Sequence, residues 1–189
     1  SLVLSAGSFT RYGNAYASSG GTFTFLEVPP GSYTLTVTQS ASNAVVSRPV
    51  AIEVGVTRQE PISFPPVGSV RVTAQVGVAP LASAGVYIQA DSRGPDFQYV
   101  GTTSPAGQLV VPQVPGPALL VRVTHPNTPF QRGEAGGAIT AEGQTVDVNV
   151  ELPGVGTVTG LLRSRDGEPV PGRVFLRSGD GLTEYAYQN

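Results

Sequence analysis

The chain repeats itself, and that repeat restricts its fold more than any other feature. Residues Gly21 to Thr38 read GTFTFLEVPPGSYTLTVT, and Gly107 to Thr124 read GQLVVPQVPGPALLVRVT, aligned without a gap 86 residues later. Phe64 to Val70 matches Leu152 to Val158 at a spacing of 88 residues, and Val86-Tyr87-Ile88 matches Val174-Phe175-Leu176 at the same spacing. A fixed period of this length marks tandem copies of one folding unit. Leu2-Val3-Leu4 stands in the first copy where Val86-Tyr87-Ile88 stands in the second. The expected organisation is a first repeat lacking its opening strand (1–66), a complete repeat (67–153) and the opening of a third (154–189). The junctions Pro65-Pro66 and Pro153-Gly154 are short and stiff, which favours a rod over a flexible string.

Within each copy the apolar residues alternate with period two, the spacing of a half-buried strand. Phe23 and Phe25 alternate with Thr, the turn Pro29-Pro30-Gly31 follows, and Tyr33, Leu35 and Val37 then share one face. The second copy keeps Leu109 and Val111, the turn Pro115-Gly116-Pro117, and Leu119, Val121 and Val123. Further strands are expected at Ile52–Val54, Ser69–Thr73, Val86–Gln89, Thr145–Val150 and Gly156–Thr159. No stretch carries a helical period. The expected fold is all-β, in tandem antiparallel Ig-like sandwiches forming an elongated rod.

Composition closes off several classes of function. With a net charge of −2 and a pI near 5.3, the chain lacks the basic footprint of a nucleic-acid binder. No apolar run approaches the roughly 20 residues a membrane-spanning helix needs. Cysteine is absent, which removes disulfides and thiolate metal sites. Methionine is absent too, and Ser1-Leu2-Val3-Leu4 is no signal peptide, so the sequence reads as a segment of something longer. All 11 basic residues are Arg.

The pattern Gly-x-Phe-x-Phe-x-x-Val-Pro-Pro-Gly-x-Tyr-x-Leu-x-Val at Gly21 to Val37 resembles the carboxypeptidase regulatory-like domain. So does Gly156-Thr157-Val158-Thr159-Gly160 leading to Asp166-Gly167-Glu168-Pro169-Val170-Pro171-Gly172-Arg173-Val174. Transthyretin-like domains and the collagen-adhesin B-type repeats of bacterial surface proteins share this look. The resemblance implies a β-sandwich, and export to the surface of a bacterium. The middle copy departs from the pattern, with Leu119 in the place of Tyr33. Collagen-adhesin relatives often carry a Lys–Asn or Lys–Asp isopeptide bond, which a chain without Lys cannot form.

Candidate chemistry is sparse. His125 is the single histidine, in Thr124-His125-Pro126-Asn127-Thr128-Pro129, and one imidazole builds neither a zinc site nor a triad. Asp91, Asp96, Asp166 and Asp180 stand beside turn residues and show no Asp-x-Asp calcium pattern. Arg163, Arg165, Arg173 and Arg177 form a local positive cluster that reads as a solvated face. Phe9, Tyr12 and Tyr16 offer a carbohydrate-stacking strip, as do Tyr185 and Tyr187, although cross-strand or core pairing explains such spacing more simply. Phe130 to Gly137 reads as a long Gly-rich loop and the variable contact surface of the middle repeat. The possible ligand contacts are therefore Tyr12, Tyr16, Phe130 and Arg132.

These features point to a non-catalytic structural segment of a secreted or cell-surface bacterial protein: a stalk, fibre or adhesin rod without cofactor or metal. Its expected partners are neighbouring repeats of the same or identical chains, together with a surface glycan or protein. The alternative is a carbohydrate- or protein-binding sandwich module, accessory to a larger enzyme.

Overall fold

The computed structural model describes residues 1–177 and 183–187, with side chains through Phe175. The chain is all-β apart from two short 3-10 turns, Ala17–Ser19 and Asp91–Arg93. Its first four strands are β1 (Leu2–Ala6), β2 (Phe9–Gly13), β3 (Gly31–Thr38) and β4 (Val45–Ile52). They form one antiparallel sheet in the order β2-β1-β3-β4. The following segment supplies β5 (Val67–Val76), β6 (Ala79–Pro80), β7 (Gly85–Ala90), β8 (Gln98–Thr102), β9 (Gln108–Pro115), β10 (Ala118–Thr124), β11 (Arg132–Ala138) and β12 (Thr145–Leu152). A hairpin of β13 (Arg173–Arg177) and β14 (Thr183–Tyr187) follows.

The repeat seen in the sequence is built twice in space. Strands β8-β7-β10-β11 make an antiparallel sheet in the same order as β2-β1-β3-β4. The middle segment adds a second sheet, in which β5 is flanked by β12 on one edge and by β9 and β6 on the other. Alternation then places every second side chain between the sheets. Val70, Val72 and Ala74 of β5 are fully buried with Val86 and Ile88 of β7, Val121 and Val123 of β10, and Val150 of β12. Each of these Val and Ile side chains contributes about 1.5–3 kcal/mol by leaving water. Thr103 secures the rim, where its Oγ1 accepts from the Ala84 N–H at 2.9 Å and donates to the Leu81 carbonyl at 2.6 Å.

One ladder departs from the antiparallel expectation: β5 and β12 run parallel, from Thr145 opposite Ser69 to Leu152 opposite Val76. These are the first and last strands of the unit: between them the chain crosses to the other sheet for β7 and β8, returns for β9, crosses again for β10 and β11, and returns for β12.

The first segment has only one sheet. Its core is Leu2, Leu4, Tyr33, Leu35, Val37 and Val50, against fifteen buried residues in the middle segment. Residues 22–26, expected as a strand, form none. Their counterpart β9 is held by β5, and among the described residues no strand lies beside 22–28 to complete a ladder. Phe23, Phe25 and Val28 nevertheless pack on the core, with the two rings edge-to-face at 6.1 Å. Residues 156–159 also fail to form the expected strand for want of a ladder partner, leaving Val158 and Leu161 more than 70% exposed. The strand expected at Ile52–Val54 ends at Ile52 and begins earlier, because its ladder to β3 spans Val45 to Ile52 and Gly55, at φ 71°, turns the chain away.

The stretch Phe130 to Gly137, expected as a loop, is largely β11. Its glycines serve close approach instead of flexibility. A Cβ at Gly133 would lie 2.4 Å from the Glu151 carbonyl oxygen, and one at Gly137 would lie 3.0 Å from Val148. Gly133, Ala135 and Gly137 thus line the inner face at low height, so that β11 and β12 pack backbone to backbone.

Candidate functional site

Tyr12 lies on β2 and is 80% exposed, while Tyr16 is 63% exposed just beyond that strand. Neither belongs to the core. The pair does not share a strand face, because the chain leaves β2 at Gly13 and the Tyr16 carbonyl instead closes a turn. It accepts from the Ser19 N–H, the Gly21 N–H and the Ser19 hydroxyl, at 3.0, 3.0 and 2.9 Å. Phe9 points inward, edge-to-face on Tyr33 at 5.3 Å. Tyr185 and Tyr187 lie on β14, with side chains outside the described residues, as are the Arg177 side chain and Asp180.

Phe130 is half-exposed and lines a groove of about 390 Å³ with Asn127, Pro129, Gln131, Pro153 and Val155. The buried Gln131 donates from Nε2 to the Pro153 carbonyl at 2.5 Å, fixing the β10–β11 connection to the segment that leaves β12. Arg132 opens β11 and is exposed. Tyr12 and Tyr16 therefore lie on and just beyond β2 of the first segment, and Phe130 and Arg132 just before and on β11 of the middle one. His125 serves the same connection: its N–H donates to the Gln131 carbonyl, and its Nδ1 accepts from the Asn127 N–H at 3.2 Å. Asp166 sits in a turn closed by Ser164 and Glu168, where Arg163 donates to the Gly167 carbonyl. Asp91 opens the 3-10 turn Asp91–Arg93. Among the described residues no group of three or more His, Asp or Glu is placed to hold a metal ion.

A different surface emerges on the outer face of the four-stranded sheet of the middle segment. Tyr99 of β8 is opposite Tyr87 of β7, Tyr87 is opposite Arg122 of β10, and Arg122 is opposite Glu134 of β11. One side chain per strand thus makes a row across the sheet. The tyrosine rings meet edge-to-face at 5.4 Å. The Arg122 guanidinium lies 3.7 Å from the centroid of Phe97 and donates to Glu134 Oε1 at 2.7 Å. Tyr87 alternates with the buried Val86 and Ile88, and Arg122 with the buried Val121 and Val123. That alternation is visible in the sequence, but the pairing that lines up four strands is not.

The two segments meet at Arg93. Its Nε donates to the Ser42 carbonyl in the β3–β4 turn, and its Nη2 donates to the Gln113 carbonyl of β9, both at 2.8 Å. Burial lowers the Arg93 pKa from its usual value. One side chain therefore spans both halves of the chain through charge-assisted bonds to backbone oxygens.

No protein-family model matches the chain, and no curated protein matches it. Among solved structures it is similar to GBS52, the minor pilin of Streptococcus agalactiae, at 16% identity and a TM-score of 0.47, over 77% of this chain and 69% of that one. It is similar to the Bacillus anthracis TIE protein at 16% identity and a TM-score of 0.37, over 97% of this chain and 39% of that one. It is also similar to BcpA, the major pilin subunit of Bacillus cereus, at 12% identity and a TM-score of 0.35, over 67% and 40% of the two chains. At these values the all-β assignment rests on the ladders described above.

Proposed function

We propose that the chain is a non-catalytic structural segment of a secreted or cell-surface bacterial protein, a stalk, fibre or adhesin rod assembled from transthyretin-like sandwich repeats. The repeats would be 1–66, 67–153 and 154–189. The observation that carries this reading is the same four-strand order built twice, with Arg93 bonded across the two copies. A spacer needs repetition and defined angles between units, and both features supply them. Antibody against this chain is expected to label intact, unpermeabilised cells of the source bacterium. Labelling that requires lysis would refute the surface assignment.

A second reading, a carbohydrate- or protein-binding module, is favoured by the row Tyr99, Tyr87, Arg122 and Glu134. Aromatic faces beside fixed hydrogen-bonding groups suit the apolar and hydroxyl faces of a sugar ring. Retention of the chain on immobilised polysaccharide, lost in the Tyr87→Ala, Tyr99→Ala double variant with the strand content intact, supports it. Equal mobility with and without polysaccharide refutes it.

A further inference from the structure

The outer face of the first repeat carries a row that matches the middle one position for position. In the middle repeat the row is Tyr99, Tyr87, Arg122 and Glu134, across β8-β7-β10-β11. On β2-β1-β3-β4 the same places are held by Tyr12, Val3, Thr36 and Ser47. Tyr12 and Tyr99 are therefore counterparts, each on an edge strand beside the same inner-strand position. Both are exposed, and both are Tyr although the rows differ at the other three positions. The last hairpin keeps this register, with Tyr185 of β14 opposite Phe175 of β13, the counterpart of Tyr87. An aromatic residue thus recurs at one place in all three copies, and at Tyr12 and Tyr99 core packing does not account for it.

The far half of each row is polar and carries no net charge. Arg122 is neutralised by Glu134, and Thr36 and Ser47 join through their hydroxyls at 3.0 Å. Only Nε of Arg122 is engaged by Glu134, and stacking on Phe97 holds the plane of the guanidinium. Among the described residues no acceptor meets its two Nη groups, which leaves fixed donors at the surface. The near half of the middle row is built from ring surface. Gly85 keeps open the space into which Tyr87 leans, since a Cβ there would meet the ring at 3.4 Å, and Tyr99 stands edge-to-face beside it. A ligand for this face must offer an apolar side to the tyrosines and hydroxyls to the polar half, and neither row holds an unpaired charge to attract a charged one. A pyranose with equatorial hydroxyls has that form, with flat C–H faces and a polar rim. The row spans three strand spacings, about 14 Å, and begins and ends on edge strands, which suits a chain of sugars better than a single ring.

We propose that this row is a polysaccharide-binding station carried by each repeat, and that its occupant is an uncharged polymer of equatorially substituted pyranoses lying across the strands. Tyr12 and Tyr99 supply the stacking surface, and Arg122 with Glu134, or Thr36 with Ser47, orients the sugar hydroxyls. A polymer that repeats along its length can engage more than one station of the same chain. Each later contact then forms at the high effective concentration set by the first. This inference rests on the binding-module reading of the row and names its ligand.

The test uses the whole 189-residue chain in native gels that contain a soluble polysaccharide. Hydroxyethyl cellulose, an uncharged β-linked glucan, is expected to retard it. Carboxymethyl cellulose, the acidic analogue, and dextran, an uncharged glucan with axial linkages, are expected to leave its mobility as in a plain gel. Tyr12→Ala and Tyr99→Ala are each expected to weaken binding by roughly three- to tenfold, and the double variant by more than either, with the circular dichroism of the strands unchanged. Stronger retardation by carboxymethyl cellulose overturns the uncharged ligand, and equal retardation by dextran overturns the equatorial one; both results leave a carbohydrate-binding module standing. Retardation by hydroxyethyl cellulose that the double variant retains in full overturns the stations. Unchanged mobility in every gel overturns the glycan ligand and leaves the module reading only its protein-binding form.

Discussion

Gly133 and Gly136 stand three residues apart on one strand, and replacing each by Ala is expected to move stability in opposite directions. At Gly133 the new Cβ would lie 2.4 Å from the Glu151 oxygen, where ordinary contact begins at 3.4 Å. One strand must therefore retreat by about 1 Å, and β12 is held by its parallel ladder and by the buried Val148, Val150 and Leu152. Overpacking of this kind costs about 1–3 kcal/mol. The loss of backbone freedom in the unfolded chain offsets about 0.4–1 kcal/mol of that. With a net loss of about 1.3 kcal/mol, and about 4–8 °C per kcal/mol for a unit of this size, Gly133→Ala should lower Tm by roughly 5–10 °C. At Gly136 the nearest atom to a Cβ is the Leu119 oxygen at 3.8 Å, so only the unfolded-state term acts. Gly136→Ala should raise Tm by about 2–8 °C on the same scale. Thermal and urea unfolding followed by far-ultraviolet circular dichroism reads both. Equal shifts of the same sign would refute the close-approach argument and restore the view of this stretch as a flexible connection.

Three further outcomes follow from the contacts described. Thr103→Val leaves the buried Ala84 N–H without its side-chain acceptor and should cost about 1–3 kcal/mol in urea unfolding; a change below about 0.5 kcal/mol would show that Oγ1 is dispensable. Arg93→Ala removes the bond to Ser42 across the halves and the bond to Gln113 within the middle segment, about 1–3 kcal/mol together for a partly exposed cation. Small-angle scattering of that variant should show a broader distribution of intersegment distances, and an unchanged profile would mean that other contacts fix the angle. Tyr12→Ala and Tyr16→Ala should each alter stability by less than about 0.5 kcal/mol, since both rings are exposed; loss of folding would contradict their placement.

Strands whose inward residues are large were legible in the sequence. Tyr33, Leu35 and Val37, or Leu119, Val121 and Val123, announce period two because the side chains that alternate differ sharply in polarity. β11 alternates as well, but its inward residues are Gly133, Ala135 and Gly137, chosen for smallness, and a hydrophobicity pattern is blind to that choice. Residues 22–26 and 156–159 show the opposite error. They carry strand patterns, but a strand is a property of a ladder, and a single segment cannot state whether its partner is at hand. The candidate contacts suffered from the same limit. Tyr12 and Tyr16 share a face only if β2 continues past Gly13, whereas Tyr99, Tyr87, Arg122 and Glu134 are aligned by registers that pair residues up to 122 − 87 = 35 apart in sequence.

The parallel pairing of β5 with β12 also decides how the middle repeat would meet tension. The chain enters at Val67 and leaves at Leu152, which is opposite Val76 at the far end of β5. Entry and exit are thus separated by the length of a ten-residue strand, about 30 Å along the strand axis. A pull on the two termini slides β5 against β12, loading their eight paired positions together. A hairpin pulled from adjacent ends would instead open one bond at a time, so this geometry makes the repeat a shear clamp.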